Sequence, residues 1–436
     1  MDRLIKIGSF LVCFSLFINA QTDSFRFEHF TVEQGLSQST IYAIYQDSRG
    51  FLWLGTADGL NRYDGYNFLI YKHNPNDPYS ISANRIYTIS EDEKGNLWIG
   101  TYGGGLNKFI REEEKFIQYK NDPNDPTSLS NNNVLSLCLD KTGSLWIGTD
   151  GGGLNKLNPE NESFRHYAQN NDQPSYISNN TVRAIYEDRN GVLWVGTGNG
   201  LNKFDLHTGQ FIKYEYDIDE PPGSGNDEIL SIYEDHKGYL WIGTGRSGLN
   251  KLDINHSSII QYKFNPYNAN GLNSNRVFSI TEDKWGILWI GTIGGGLNSF
   301  DEGSEKFTDY IFSENDPSGI TSTGVFSLYN DDSGVLWIGT YNGGLNKLGL
   351  SKRRFTFYTY NPEESQSISD KRVYSFCEDH AGNIWIGTGK GLNRFNSHEK
   401  TFVQYINNTN NKINKEQVLS IFEDANECLW IGTYTG

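Results

Sequence analysis

Residues 373–405 read VYSFCEDHAGNIWIGTGKGLNRFNSHEKTFVQY, and four short β-type runs stand out within them. VYSFCED and NIWIGTG are separated by a polar turn, and GLNRF and TFVQY follow, each bounded by Gly, Asn, Ser or Lys. Turn residues at such spacing mark short strands joined by tight connections. The central phrase returns throughout the chain, as in GNLWIGTYGGGLNKF at 95–109. Its tryptophans are Trp53, Trp98, Trp146, Trp194, Trp241, Trp289, Trp337, Trp385 and Trp430, spaced 45 to 48 residues apart, with only Trp285 off register. A fixed period of this length signals a propeller or a solenoid, whose units cannot bury their own faces alone. Four strands per unit make a propeller blade, whereas a β-solenoid coil needs about half this length. The fold predicted is therefore all-β.

Other positions repeat with the tryptophan. Twelve residues before it stands only Ile or Val, from Ile41 and Ile86 to Val418, as suits a strand covered on both faces. Ten before it stands only Ala, Ser or Thr, which fits inner strands crowded around an axis. An Asp lies six before every tryptophan, from Asp47 to Asp424. Three residues ahead of a Gly and between two strands, it reads as turn chemistry rather than catalysis or metal binding, its carboxylate accepting backbone N–H groups. Glu427 replaces that Gly in the ninth unit, so a different turn is expected there. The Trp should wedge between neighbouring blades, and the Gly of WIG should leave room for a nearby backbone or ring. The Asn of GLN, as in Asn61 and Asn107, should tie down the Gly turn before it.

FRFEHF at 25–30 resembles a fourth strand without its first three. Pairing it into the last blade of a ring removes two exposed edges. A ring of seven four-stranded blades then spans 21–350 and ends with the Trp337 blade. RFTFYTYNPEESQSISDKRV (354–373) repeats the manoeuvre and opens a second propeller over 351–436, with the basic SKRR (351–354) at the junction. The ninth unit stops after IGTYTG, before its last two strands, as expected of a fragment of a longer protein.

The first twenty residues differ from the rest. Arg3 and Lys6 precede an uncharged run, Ile7 to Ile18, and Asn19-Ala20 follow. The run is too short for a membrane-crossing helix and reads as an export signal cleaved before Gln21. Its removal takes the net charge from −16 to −17, which disfavours nucleic acid and anionic lipid as partners. Cys138 and Cys377 share a repeat position and read as small core fillers. With no CxxC pair and no Cys/His cluster, neither disulfides, a metal nor a cofactor is called for.

The pattern EDxxGNLWIGTxGGGLNKF, recurring over 25–436, resembles the two-component regulator propeller repeat. It lacks the Gly-His and Trp-Asp of WD repeats, and kelch units place their aromatics differently. The resemblance implies the exported sensor region of a Bacteroidetes hybrid two-component system. It implies two seven-bladed propellers, an immunoglobulin-like module, a membrane helix, a histidine kinase, a receiver and often a DNA-binding domain in the full protein. It further implies a homodimer anchored in the inner membrane, with its sensor in the periplasm. The ligand it implies is an oligosaccharide released from polysaccharide, and the output is transcription of genes for carbohydrate use.

Ligands should favour the face carrying the loops from outer to next inner strand and those between second and third strands, which are long and irregular on a rigid scaffold. Arg85, Tyr102, Asp150, Arg183, Arg246, Arg276 and Tyr341 lie there, with Arg372 in the second propeller. Tyr rings stack on apolar sugar faces, and guanidinium forks reach hydroxyls or uronate carboxylates. The plain alternative is that these side chains line a wet channel or pair with loop carboxylates. Trp285 is either a lone surface aromatic or a contact for a partner module. No residue is assigned a catalytic role. Two other readings stand beside sensing: a propeller lyase acting on a glycan or cyclic peptide, and a non-catalytic adhesion or scaffold propeller. A lyase needs a clustered His, Glu or metal constellation. The eight histidines fall at unrelated repeat positions except His236 and His380, which occupy matched turns.

Overall fold

The structure, a computed structural model, describes residues 25–169, 176–205, 209–214, 228–254, 258–349, 358–362, 364–396, 401–405 and 417–435. The export signal and the SKRR junction lie outside them. The chain divides into two units, Met1–Ser351 and Lys352–Gly436.

Unit 1 holds seven four-stranded antiparallel sheets, the predicted blades. Blade 1 runs Ile41–Gln46, Leu52–Thr56, Gly59–Tyr63, Phe68–Tyr71, and blades 2 to 6 repeat that order. Blade 7 takes three strands from Val325–Asn330, Val335–Thr340 and Leu345–Gly349 and its fourth from Glu28–Phe30. Phe30 lies opposite Leu345 and Glu28 opposite Lys347, so the chain's first strand closes the ring. The strand starts at Glu28 rather than Phe25 because the Phe27 N–H is taken by the Ser318 carbonyl at 2.9 Å. Phe25 instead sets its ring edge-on to Trp289 and Tyr310, centroids 6.1 and 5.8 Å away.

The repeat positions explain one another across blade boundaries. The seven repeat tryptophans of unit 1 are at most 6% exposed, and each packs on the next blade, whereas the off-register Trp285 is 47% exposed. Trp53 meets Ile86, Leu97 and Phe109 of blade 2, and Trp337 meets Ile41 and Leu52 of blade 1. The Gly of WIG is opposed by the next blade's β-branched side chain, rather than mainly by a backbone or ring. A Cβ on Gly148 would lie 2.7 Å from Val182 Cγ1, and one on Gly100 2.5 Å from Val134 Cγ1. The small residue at minus ten stands beside that contact. Ser136 pairs with Gly148 in register, and its hydroxyl donates to the Val182 carbonyl at 3.3 Å. A larger side chain there would press on the Gly of its own blade and on the facing Val.

The Asp turns form as expected: Asp47 Oδ1 accepts the N–H groups of Arg49 and Phe51, and Gly50 takes φ 87°. Glu427 keeps the same turn rather than a different one, with φ 66° and Asp424 Oδ1 still accepting from Asn426 and Cys428. The Asn of GLN has another task than the one expected. Asn107 Oδ1 accepts the Ser82 N–H at 2.9 Å and its Nδ2 donates to Ser82 Oγ at 2.7 Å, which pins the loop arriving from the previous blade. Asn61, Asn155 and Asn202 hold Ser37, Ser130 and Ser178 likewise. The Gly turn is held by the Thr of WIGT, whose hydroxyl in Thr101 donates to the Gly105 carbonyl at 2.8 Å.

Unit 2 holds one complete blade, Val373–Glu378, Ile384–Thr388, Gly391–Asn396 and Thr401–Tyr405, and the hairpin Val418–Glu423 with Leu429–Thr433. Trp430 in that hairpin is 64% exposed.

Candidate functional site

Every inner strand carries a β-bulge one residue after its Ile or Val, seen as a register shift between Ile41 and Ala43 in blade 1 and between Val182 and Ala184 in blade 4. A bulged residue is unpaired and its side chain is re-aimed. In unit 1 these residues are Tyr42, Tyr87, Leu135, Arg183, Leu230, Phe278 and Phe326, one per blade. All seven line one concavity of about 360 Å³, completed by Arg85 and Tyr341. The volume lies within the range of about 300–1,000 Å³ usual for ligand sites.

The rim is built by the loops expected to carry it. The turn between second and third strands is bonded to the residue that precedes each inner strand. Tyr102 N–H donates to the Arg85 carbonyl, Asp150 to Asn133 and Tyr341 to Gly324, each at 2.9 Å. Two of the bulged tyrosines, Tyr42 and Tyr87, stack at 4.6 Å with planes 6° apart, and Tyr102 follows 5.7 Å from Tyr87. The Arg85 guanidinium lies 5.4, 5.3 and 5.2 Å from the centres of Tyr42, Tyr87 and Tyr102, and its Nη2 donates to the Tyr42 hydroxyl at 3.1 Å. Burial pushes the Tyr87 hydroxyl above its ordinary pKa, so the ring enters as a neutral phenol. On the other side Phe326 sits 5.3 Å from Tyr42, 5.2 Å from Phe278 and 5.7 Å from Tyr341, which is half-exposed.

Of the seven residues singled out from sequence, Arg85, Arg183 and Tyr341 line the concavity, and Tyr102 supports Arg85 from beside it. Arg276 lies over Phe278 at 5.8 Å. Arg183 is not free: its Nε pairs with Glu228 of blade 5 at 2.6 Å. Asp150 stands at the rim, accepting the Thr181 hydroxyl at 3.0 Å, and Arg246 is exposed on its turn; neither lines the concavity. Sequence reasoning missed Tyr42, Tyr87, Phe278, Phe326 and Glu228. The usable signal was the position after the invariant Ile or Val, where residue type varies while its neighbours do not.

A second concavity, of about 650 Å³, lies among the Asp turns of blades 3 to 6. Here a Glu seven residues before the tryptophan accepts from the previous blade's turn: Glu187 from Lys141 N–H, Glu234 from Arg189 N–H, and Glu282 from His236 N–H and Nδ1. These contacts staple blades together. His380 of unit 2 pairs with Glu423 in the same way, which raises its pKa. Among the described residues no group of three or more His, Cys, Asp or Glu is arranged to hold a metal. His207, His256 and His398 lie outside them.

The pattern described as "Two component regulator propeller" matches nine stretches: 35–58, 80–103, 128–151, 176–199, 223–246, 271–294, 319–342, 367–390 and 412–435. The chain is 48% identical over 81 residues to a protein named histidine kinase P4 of Formosa agariphila, an overlap of 18% of this chain and 6% of that protein. It is similar to the solved extracellular domain assigned to a hybrid two component system of B. thetaiotaomicron, with 28% identity and a TM-score of 0.65, over 95% of this chain and 53% of the other. Virginiamycin B lyase of Staphylococcus aureus shares the fold at 14% identity and a TM-score of 0.55, over 75% of this chain and all of its own. The chain thus spans about half the length of the B. thetaiotaomicron domain and a small part of the kinase. Among the described residues no helix is long and apolar enough to cross a membrane.

Proposed function

Because this chain belongs to the two-component regulator propeller family, we propose that unit 1 is the ligand-binding head of a hybrid two-component sensor histidine kinase and takes an oligosaccharide at its channel mouth. The full protein is exported, holds this head in the periplasm from an inner-membrane anchor and works as a homodimer. It carries the rest of the second propeller, an immunoglobulin-like module and the kinase, and its signal reaches genes of carbohydrate use. One observation carries the reading: seven bulges bring a side chain from every blade to one concavity, and four of the seven are aromatic. Tyr and Phe faces stack on the C–H faces of sugar rings, and a ring of rigid strands holds them in place before the ligand arrives.

Calorimetry of the purified chain against a panel of oligosaccharides tests it. One ligand class should bind, and Tyr42→Ala and Tyr341→Ala should each weaken it about tenfold, the loss of one stacking contact of about 1.4 kcal/mol. A panel silent throughout overturns direct binding. Conversion of the bound sugar to product would move the chain to the lyase reading instead.

A further inference from the structure

We propose that Arg85 is the anchor for a sugar carboxylate, so that the mouth takes an acidic, uronate-bearing oligosaccharide; this rests on the reading of the mouth as an oligosaccharide site. The argument is the state of its charge. Of the two arginines that line the concavity, Arg183 has a carboxylate partner, Glu228 at 2.6 Å, as Arg111 and Arg189 have elsewhere in the unit. Arg276 and Arg372 hold the repeat position of Arg85, thirteen before the tryptophan: Arg276 lies over Phe278 and does not line the concavity, and Arg372 of unit 2 pairs with Asp370 at 3.0 Å. Blade 2 has Ala83 where Asp370 stands, and among the described residues no carboxylate pairs with Arg85.

Its contacts are instead three tyrosines, and one guanidinium N–H is used, on the Tyr42 hydroxyl. The rings surround one side of the guanidinium without neutralising it. A guanidinium has five N–H donors in a flat fork that matches a carboxylate in a two-bonded geometry. In a chain of net charge −16, an unpaired cation held over stacked rings inside a concavity is a fixed anion receptor. Phe326, packed on Tyr42, and Tyr341 beside it supply the apolar surface for the sugar ring that carries the acid.

The test is calorimetry of the purified chain with oligosaccharides of three to five units built on glucuronate, galacturonate, mannuronate or guluronate. Each is compared with the same compound after its carboxyls are reduced to alcohols. An acidic member should bind, its reduced form should bind at least tenfold more weakly, and Arg85→Gln should cause a comparable loss. Arg85→Lys, which keeps the charge and loses the fork, should fall between. Unchanged melting temperatures of both variants separate this from unfolding. Equal binding of acidic and reduced forms, or indifference to Arg85→Gln, overturns the carboxylate subsite and leaves the mouth as a neutral-sugar site. No binding by any form overturns both readings.

Discussion

Asp188 and Trp194 are joined within blade 4 by a buried hydrogen bond, the indole N–H donating to Asp188 Oδ2 at 2.9 Å. The other carboxylate oxygen accepts the N–H groups of Asn190 and Val192, so one fully buried side chain fixes the turn and orients the ring that wedges against blade 5. The bond recurs in all nine repeats, from Asp47–Trp53 to Asp424–Trp430. Asp188→Ala leaves three donors without acceptors, each worth about 1–3 kcal/mol, and should cost at least about 3 kcal/mol in urea denaturation. Asp188→Asn should cost less, since its carbonyl still serves the turn while its amide meets the indole donor to donor. A loss below about 1 kcal/mol for the Ala variant would show that water or a neighbour replaces the carboxylate.

Gly148 of blade 3 faces Val182 of blade 4 with no room for a side chain between them. Gly148→Ala places a methyl 2.2 Å from Ser136 Oγ and 2.7 Å from Val182 Cγ1, so one of them must move. Overpacking of this kind costs about 1–3 kcal/mol. Val182→Ala alone also destabilises, by opening a void. The double variant should be less unstable than the sum of the two, and a double-mutant cycle in urea reads the difference. Simple additivity would mean that the new methyl is absorbed elsewhere.

The period, the blade and the closing strand were legible because each repeats or breaks a pattern along the chain. What stayed hidden depends on contacts across blades or on an extra residue. A bulge adds one unpaired position without a change in composition, so Tyr42 and Tyr87 read as ordinary strand aromatics, which are core residues by default. Arg183 stood out because a charge there breaks that default, yet its Glu228 partner is 45 residues away and has no repeat signature. Asn107 was assigned to its neighbouring turn for the same reason: its true partner, Ser82, lies 25 residues upstream in another blade's exit loop.

Ring closure rests on few residues. Phe27 is buried beside Trp289 and Leu348, and the strand after it covers the edge of Leu345–Gly349. Phe27→Ala should cost about 3 kcal/mol, as for other buried Phe truncations. The loss should be local first: hydrogen exchange of Leu345–Gly349 should quicken before that of blades 3 and 4. Uniform quickening throughout the unit would indicate that the ring opens only as a whole.

Glu427 sits in the left-handed region, φ 66°, at a turn where the other eight repeats have Gly. A non-glycine residue pays about 1 kcal/mol for that backbone. Glu427→Gly removes the strain and loses an exposed contact, His380 Nε2 to Glu427 at 3.2 Å, of little value. Thermal unfolding of unit 2 should therefore shift upward by up to about 1 kcal/mol of stability. A downward shift would show that the His380 contact outweighs the backbone term.

The Asp–Trp bond also sets an acid limit. In unit 2 the Trp385 indole, ahead of the N–H groups around Asn383, holds the Asp379 carboxyl down to about 2 from its ordinary 3.8. A carboxyl lowered by folding contributes stability that is present above its unfolded value and disappears as pH falls through the folded one. The contribution is thus intact above about pH 4 and is lost from there to about pH 2. In unit 1, burial of Asp140 works against ionisation, but bonds from Thr142, Trp146 and Ser144 outweigh it, and its pKa also lies below the ordinary value. Urea midpoints measured by tryptophan fluorescence should fall steeply across that interval, and Asp379→Asn should flatten the part reported by Trp385. An unaltered acid profile in Asp379→Asn would place the sensitivity in the Glu staples between blades instead.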